Sequence, residues 1–88
     1  PTLSQAAYEI LAIIACNKPI TKARIEQIRG VNCDNLISKL QEYDLVKEAG
    51  RMDAPGRPIL YETTDKFLRI FGFSSYEEIL ATLEVSET

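Results

Sequence analysis

The chain has 88 residues, 45% of them hydrophobic, with a formal net charge of −3 and no histidine. That length holds one small domain and no second one, and the missing histidine removes Ser-His and Cys-His nucleophile pairs and the commonest metal ligand. The acidic balance, with a pI of ≈ 4.9, opposes a general phosphate-binding surface, which carries a basic patch.

The first helix is expected from about Ser4 to Asn17, with Ser4 as its N-cap. Ala6, Ala7, Ile10, Leu11 and Ile14 share one wide face at ~100° per residue, with Ile13 at its margin. Tyr8 and Ala15 lie on a flank and Ala12 on the opposite, small or polar face. The helix serves as the core helix; alternatively Tyr8, Ala12 and Ala15 form a shallow docking strip for a partner helix. Its apolar run, Ile10 to Cys16, is far short of the ~20 residues that a membrane span needs.

Asn17-Lys18-Pro19 breaks this helix, and Thr21 caps the next. Ile20 and Ile25 have the N′–N4 spacing of a hydrophobic staple, Ile28 is expected to point inward, and Gly30 suits a left-handed C′ position. A third helix repeats the device, with Asn32 as cap and Val31 and Leu36 as the staple pair. Leu36, Leu40 and Tyr43 recur at i, i+4, i+7, with Ile37 alongside. Cys33 sits near this helix start, where a thiol pKa can fall; as a small side chain it also simply fills space. Cys16 and Cys33 lack a Cys-x-x-Cys spacing, so two reduced thiols are expected and no metal site.

Two short apolar runs follow, Leu45 to Ala49 and Ile59 to Thr63, joined by Gly50-Arg51-Met52-Asp53-Ala54-Pro55-Gly56-Arg57-Pro58. Ala54-Pro55-Gly56-Arg57 reads as a type II turn, because proline presets φ and glycine supplies φ > 0. The whole reads as a β-hairpin with a broad tip, Pro58 lying at the start or edge of its strand. Thr63 or Thr64 then caps a short helix with Phe67, Leu68 and Phe71 on its apolar face, ended by Gly72. Tyr76, Ile79, Leu80 and Leu83 mark a last short helix, and an acidic tail over 84–88 is expected to fray.

Three helices, a hairpin wing and two short helices make a mainly helical α+β fold, a winged helix-turn-helix, expected over residues 1–83. In a DNA-binding member, the third helix enters the major groove. Here its span from Asn32 to Asp44 carries Lys39 against Asp34, Glu42 and Asp44. Such a surface is repelled by a duplex that presents about one phosphate charge per ~1.7 Å of axis. Arg51 and Arg57 on the wing and Lys22, Arg24 and Arg29 on the second helix touch phosphates or form a solvated face.

The order and spacing of several short motifs resemble the second winged-helix domain of the bacterial segregation and condensation protein B (ScpB) family. They are Leu3-Ser4-Gln5-Ala6-Ala7, Leu11-Ala12-Ile13-Ile14-Ala15, Pro19-Ile20-Thr21 and Ile28-Arg29-Gly30-Val31-Asn32. Gly56-Arg57-Pro58-Ile59-Leu60-Tyr61 with Thr63-Thr64 carries the most weight, and the likeness runs over roughly positions 3 to 80. Cys16 and Cys33 depart from it, standing where an aromatic and a small polar residue are expected. The resemblance implies a non-enzymatic, cytoplasmic, nucleoid-associated subunit that needs no cofactor. It also implies docking on the kleisin ScpA and, through it, on SMC, with homodimerisation through a first winged helix that this sequence lacks. The chain opens on Pro1 rather than methionine, so a fragment of a longer protein is expected. A DNA-binding regulator is the alternative.

Two surfaces are candidates for the partner. One is the first-helix flank with Tyr8, Ala12 and Ala15; the other is the wing and its base with Arg51, Met52, Arg57 and Tyr61. The wing is favoured, because Met52 at a hairpin tip has no core to fill, and Met and Arg are enriched at interface cores. Arg57 and Tyr61 also have a plain role in stabilising the hairpin.

Overall fold

Seven elements follow one another in a computed structural model that describes residues 3–71. They are α1 (Gln5–Asn17), β1 (Ile20–Thr21), α2 (Lys22–Arg29), α3 (Asp34–Glu42), β2 (Val46–Arg51), β3 (Ile59–Thr63) and α4 (Asp65–Phe71). The expected last helix and the 84–88 tail lie outside the described residues.

Local chemistry sets most of the boundaries. Ser4 Oγ accepts the Ala7 N–H at 3.1 Å and opens α1. Thr21 Oγ1 accepts the Arg24 N–H at 3.2 Å and opens α2, which Gly30 closes at φ 80°. That left-handed conformation costs glycine little, having no Cβ to clash. Thr64 Oγ1 accepts the Phe67 N–H at 3.2 Å and opens α4.

The start of α3 differs from expectation. Cys33, not Asn32, occupies the cap position, and its side chain makes no capping bond. Two neighbours satisfy the first amides instead: Glu26 Oε2 accepts the Cys33 N–H at 3.0 Å, and Asn32 Oδ1 accepts the Asp34 N–H at 3.0 Å. Shifting the cap by one residue moves the staple register as well. Position N4 becomes Ile37, which is buried, while Val31 is left 54% exposed and Leu36 half-buried.

The core gathers one face of each helix over the sheet. Ile10, Leu11 and Ile14 from α1 meet Ile25 of α2, Ile37 and Leu40 of α3, Val46 of β2 and Phe67 of α4. Each buried aliphatic side chain of this size contributes about 1.5–3 kcal/mol relative to exposure. Ile28 does not join them and is 44% exposed. It lies about 60° around the helix from Ile25, and α2 meets the core along the width of that one residue. Leu60 of β3 and Phe71 of α4 are half-buried.

The sheet has the order β1-β3-β2, all antiparallel. β2 and β3 are the expected wing. β1 is an addition: Ile20 pairs with Tyr61 and Thr21 with Leu60, so two residues legible only as staple and cap are also a strand. A bulge between Glu48 and Gly50 shifts the wing register, and Gly50 takes φ 113° there. β1 thereby fastens the first turn of α2 beside the base of the wing.

Candidate protein-docking site

The wing tip is held by its own backbone. Arg57 N–H donates to the Ala54 carbonyl at 2.9 Å with Gly56 at φ 80°, as a type II turn requires. Met52 N–H donates to the Pro58 carbonyl at 2.8 Å, and Arg51 Nη1 to the Arg57 carbonyl at 2.9 Å. Arg51, Met52 and Arg57 all stand exposed on this frame.

Below the tip lies a cavity of about 330 Å³, lined by Lys22, Ala23, Arg51, Pro58, Ile59 and Tyr61. It unites two of the four wing residues singled out in the sequence, Arg51 and Tyr61. Met52 and Arg57 remain on the tip. Ala23 went unrecognised and Lys22 was read only as a phosphate contact or a solvated charge, because the pairing of Thr21 with Leu60 and of Arg51 with Ile59 is what brings α2 to the wing. The cap at Thr21 was the available signal, and it placed them on a helix start without saying what faced it.

The electrostatics of the cavity are ordered by one ion pair. Lys22 Nζ lies 2.5 Å from Asp34 Oδ1. The hydrogen bond and charge of Asp34 push the Lys22 pKa up, and the same bond, with one from Asn32, lowers that of Asp34. Burial, then the negative charge of Glu48, pushes the Tyr61 hydroxyl up. Both groups keep their ordinary charge at neutral pH: a cation and a protonated phenol.

The α1 strip does not survive as one surface. Tyr8 is 43% exposed and Ala12 half-buried, but Ala15 is only 5% exposed. Ala15 lies about 40° from Leu11 around the helix and falls inside the buried arc. Tyr8 belongs instead to a second groove of about 590 Å³ with Leu3, Tyr43, Leu45, Ile70 and Phe71. Its ring meets Phe71 edge-on at 5.8 Å.

Cys33 is no nucleophile. Its thiol is pushed up to about 11, first by burial and then by the charge of Glu26, against the lowering anticipated for a helix start. The Glu26 carboxylate that takes the Cys33 N–H also lies 3.8 Å from its sulfur, and outweighs any effect of the helix end. Among the described residues no group of three or more His, Cys, Asp or Glu side chains is arranged to hold a metal. No helix among them is long and apolar enough to cross a membrane.

The outward face of α3 carries exposed Asp34, Asn35, Ser38, Lys39 and Glu42. Elsewhere Arg29 is committed to Glu9. Two of the three cations of α2, Lys22 and Arg29, are therefore paired, while at the wing base Arg51 stands exposed beside the apolar Pro58 and Ile59.

Comparison with known proteins identifies the family. A family model described as "Segregation and condensation complex subunit ScpB" matches residues 1–82. Segregation and condensation protein B of Ruminiclostridium cellulolyticum is 66% identical over 77 residues, covering 88% of this chain and 40% of that protein. The crystal structure of ScpB from Mycobacterium tuberculosis superposes with a TM-score of 0.78 at 36% identity, over 84% of this chain and 46% of that one. Lactococcus lactis ZitR shares the fold at a TM-score of 0.68 and 23% identity, over 94% of this chain and 59% of that one. The chain thus spans less than half the length of the curated relatives it matches. A match over 82 positions, joined to a wing and three-helix core like those of a solved ScpB, settles the family: this winged helix belongs to the segregation and condensation protein B family.

Proposed function

We propose that this domain is a non-enzymatic docking module of a bacterial SMC–kleisin complex that condenses and segregates chromosomes. It binds the kleisin ScpA and through it SMC, in the cytoplasm at the nucleoid. A separate first winged helix supplies the homodimer contact. The observation that carries the reading is the division of charge on the fold. The face of α3 that would enter a DNA groove bears Asp34 and Glu42 against Lys39, whereas the wing base offers Arg51 beside apolar Pro58 and Ile59. Interfaces are built from such Arg and Met anchors over an apolar floor. The docking surface is accordingly the wing, with Arg51, Met52, Arg57 and Tyr61, rather than the α1 flank.

The DNA-binding alternative draws on the likeness to the ZitR fold. Fold alone does not assign a partner, since winged helices serve both DNA and proteins. Two of the cations it would use are already paired, Lys22 with Asp34 and Arg29 with Glu9. Co-purification with ScpA, beside a duplex-DNA titration at two salt concentrations, separates the readings. Stable capture of ScpA with salt-labile, sequence-indifferent DNA binding is expected. Sequence-selective DNA binding at physiological salt without ScpA capture would reverse the assignment.

A further inference from the structure

The cavity at the wing base has a chemistry more specific than a generic docking patch. Its charged lining residues are both cations, Lys22 and Arg51; an opposing charge stands close by in Glu48, paired with Tyr61 across the strands, whose carboxylate acts on the Tyr61 hydroxyl. Lys22 is already paired with Asp34. Arg51 spends one donor on the Arg57 carbonyl, and a guanidinium has five. Tyr61 is 9% exposed, and its hydroxyl has no hydrogen-bond partner among the described residues. The fully buried unpaired side-chain atom among the described residues is Arg29 Nε, so the Tyr61 hydroxyl still reaches water, which a ligand oxygen replaces on docking. The floor of Ala23, Pro58 and Ile59 is apolar.

We propose that this cavity receives a carboxylate side chain from an acidic, partly apolar segment of the kleisin, held by Arg51 and the Tyr61 hydroxyl over the Pro58–Ile59 floor. The proposal rests on the docking reading above and adds the chemistry of the partner. Charge complementarity selects the class of occupant. A carboxylate and a guanidinium make charge-assisted, often bidentate bonds. The volume of about 330 Å³ equals roughly eleven liquid waters at ~30 Å³ each, room for a side chain and not for a duplex. Asp34, bound to Lys22 at the rim, together with Glu42 farther along α3, opposes a continuous phosphate backbone running past the site. A single carboxylate on a peptide escapes that repulsion.

The test is calorimetry of the full-length protein that carries this domain against full-length ScpA, at low and high salt. Parent, Arg51→Ala, Arg51→Glu, Tyr61→Phe and the exposed control Lys39→Ala are compared, with melting curves to confirm folding. Arg51→Ala should weaken binding by about tenfold or more and Arg51→Glu by more, as expected for an interfacial charge anchor. Tyr61→Phe keeps the ring in the core and should lose severalfold. The difference between parent and Arg51→Ala should shrink at high salt, since screening acts on the charge pair. Reversing one acidic residue of ScpA to arginine should restore binding to Arg51→Glu. If parent, Arg51→Glu and Tyr61→Phe bind ScpA alike, the cavity assignment is wrong while the docking reading stands. If the parent itself fails to bind ScpA, both fall. If Arg51→Glu abolishes duplex-DNA binding and leaves ScpA binding intact, the cavity takes phosphate and the proposal is overturned.

Discussion

Thr64 Oγ1 donates to the Asp44 carbonyl at 2.7 Å while accepting the Phe67 N–H at 3.2 Å. One hydroxyl therefore caps α4 and ties it to the turn that leaves α3. Thr64 N–H adds a second tie to the Leu45 carbonyl at 3.2 Å. Thr64 is 7% exposed, so water cannot easily replace a lost partner. Thr64→Val, which keeps the shape and deletes the hydroxyl, is expected to cost about 1–3 kcal/mol. Thr64→Ser should cost far less. Urea denaturation of the two variants beside the parent checks this, and equal losses would remove the hydroxyl from the account.

Ile14 and Ile28 make a matched pair for the core. Ile14 is 0% exposed and Ile28 44% exposed. Ile14→Ala should cost about 2–5 kcal/mol, the sum of lost burial and a residual cavity. Ile28→Ala should stay within about 0.5 kcal/mol of the parent. The two melting curves decide, and comparable losses would mean that Ile28 is covered.

Cys33 makes folding sensitive to alkali. The folded state holds its thiol protonated up to about 11, against an ordinary value of 9.0. Between those values the unfolded chain gives up the proton and the folded chain keeps it, so unfolding is favoured as pH rises. The contribution is intact below about 9 and lost toward 11. Burial shifts Tyr61 in the same direction, so the comparison needs Cys33→Ala as reference. The parent should lose more stability than Cys33→Ala on raising pH through this window, and alkylation of Cys33 should be slow at neutral pH until the protein is unfolded.

DNA binding by the domain should be weak and indifferent to sequence. Exposed Arg24, Arg51 and Arg57 are available to phosphates, while α3 repels them. Counterion release makes such binding fall steeply with salt. Fluorescence titration of two unrelated duplexes at two salt concentrations is the measurement. A nanomolar, sequence-selective complex at physiological salt would contradict the charge argument.

Much of the fold was legible in local sequence. Ser4, Thr21 and Thr64 accept amide protons three residues on, which is a short-range property of their side chains. Gly30 and Gly56 mark left-handed positions that other residues resist. The spacing of Ile10, Leu11 and Ile14 defined the inner face of α1, and the two apolar runs about Pro55-Gly56 defined the wing. The family likeness was legible for the same reason, being carried by short motifs in order.

What the tertiary structure decided depends on contacts between elements rather than within one. Glu26 reaches Cys33 and takes over its N–H, which moved the start of α3 and left Val31 in solvent. The packing of α2 ruled that Ile25 is buried and Ile28 is not, and the width of the face that α1 buries took Ala15 into the core while Tyr8 remains outside. The cavity at the wing base exists because β1 pairs with β3 and carries Lys22 and Ala23 to Arg51 and Tyr61. A strand of two residues has no period of its own to read. Its identity resides in its partner, roughly forty positions later in the sequence, and only the folded chain brings the two together.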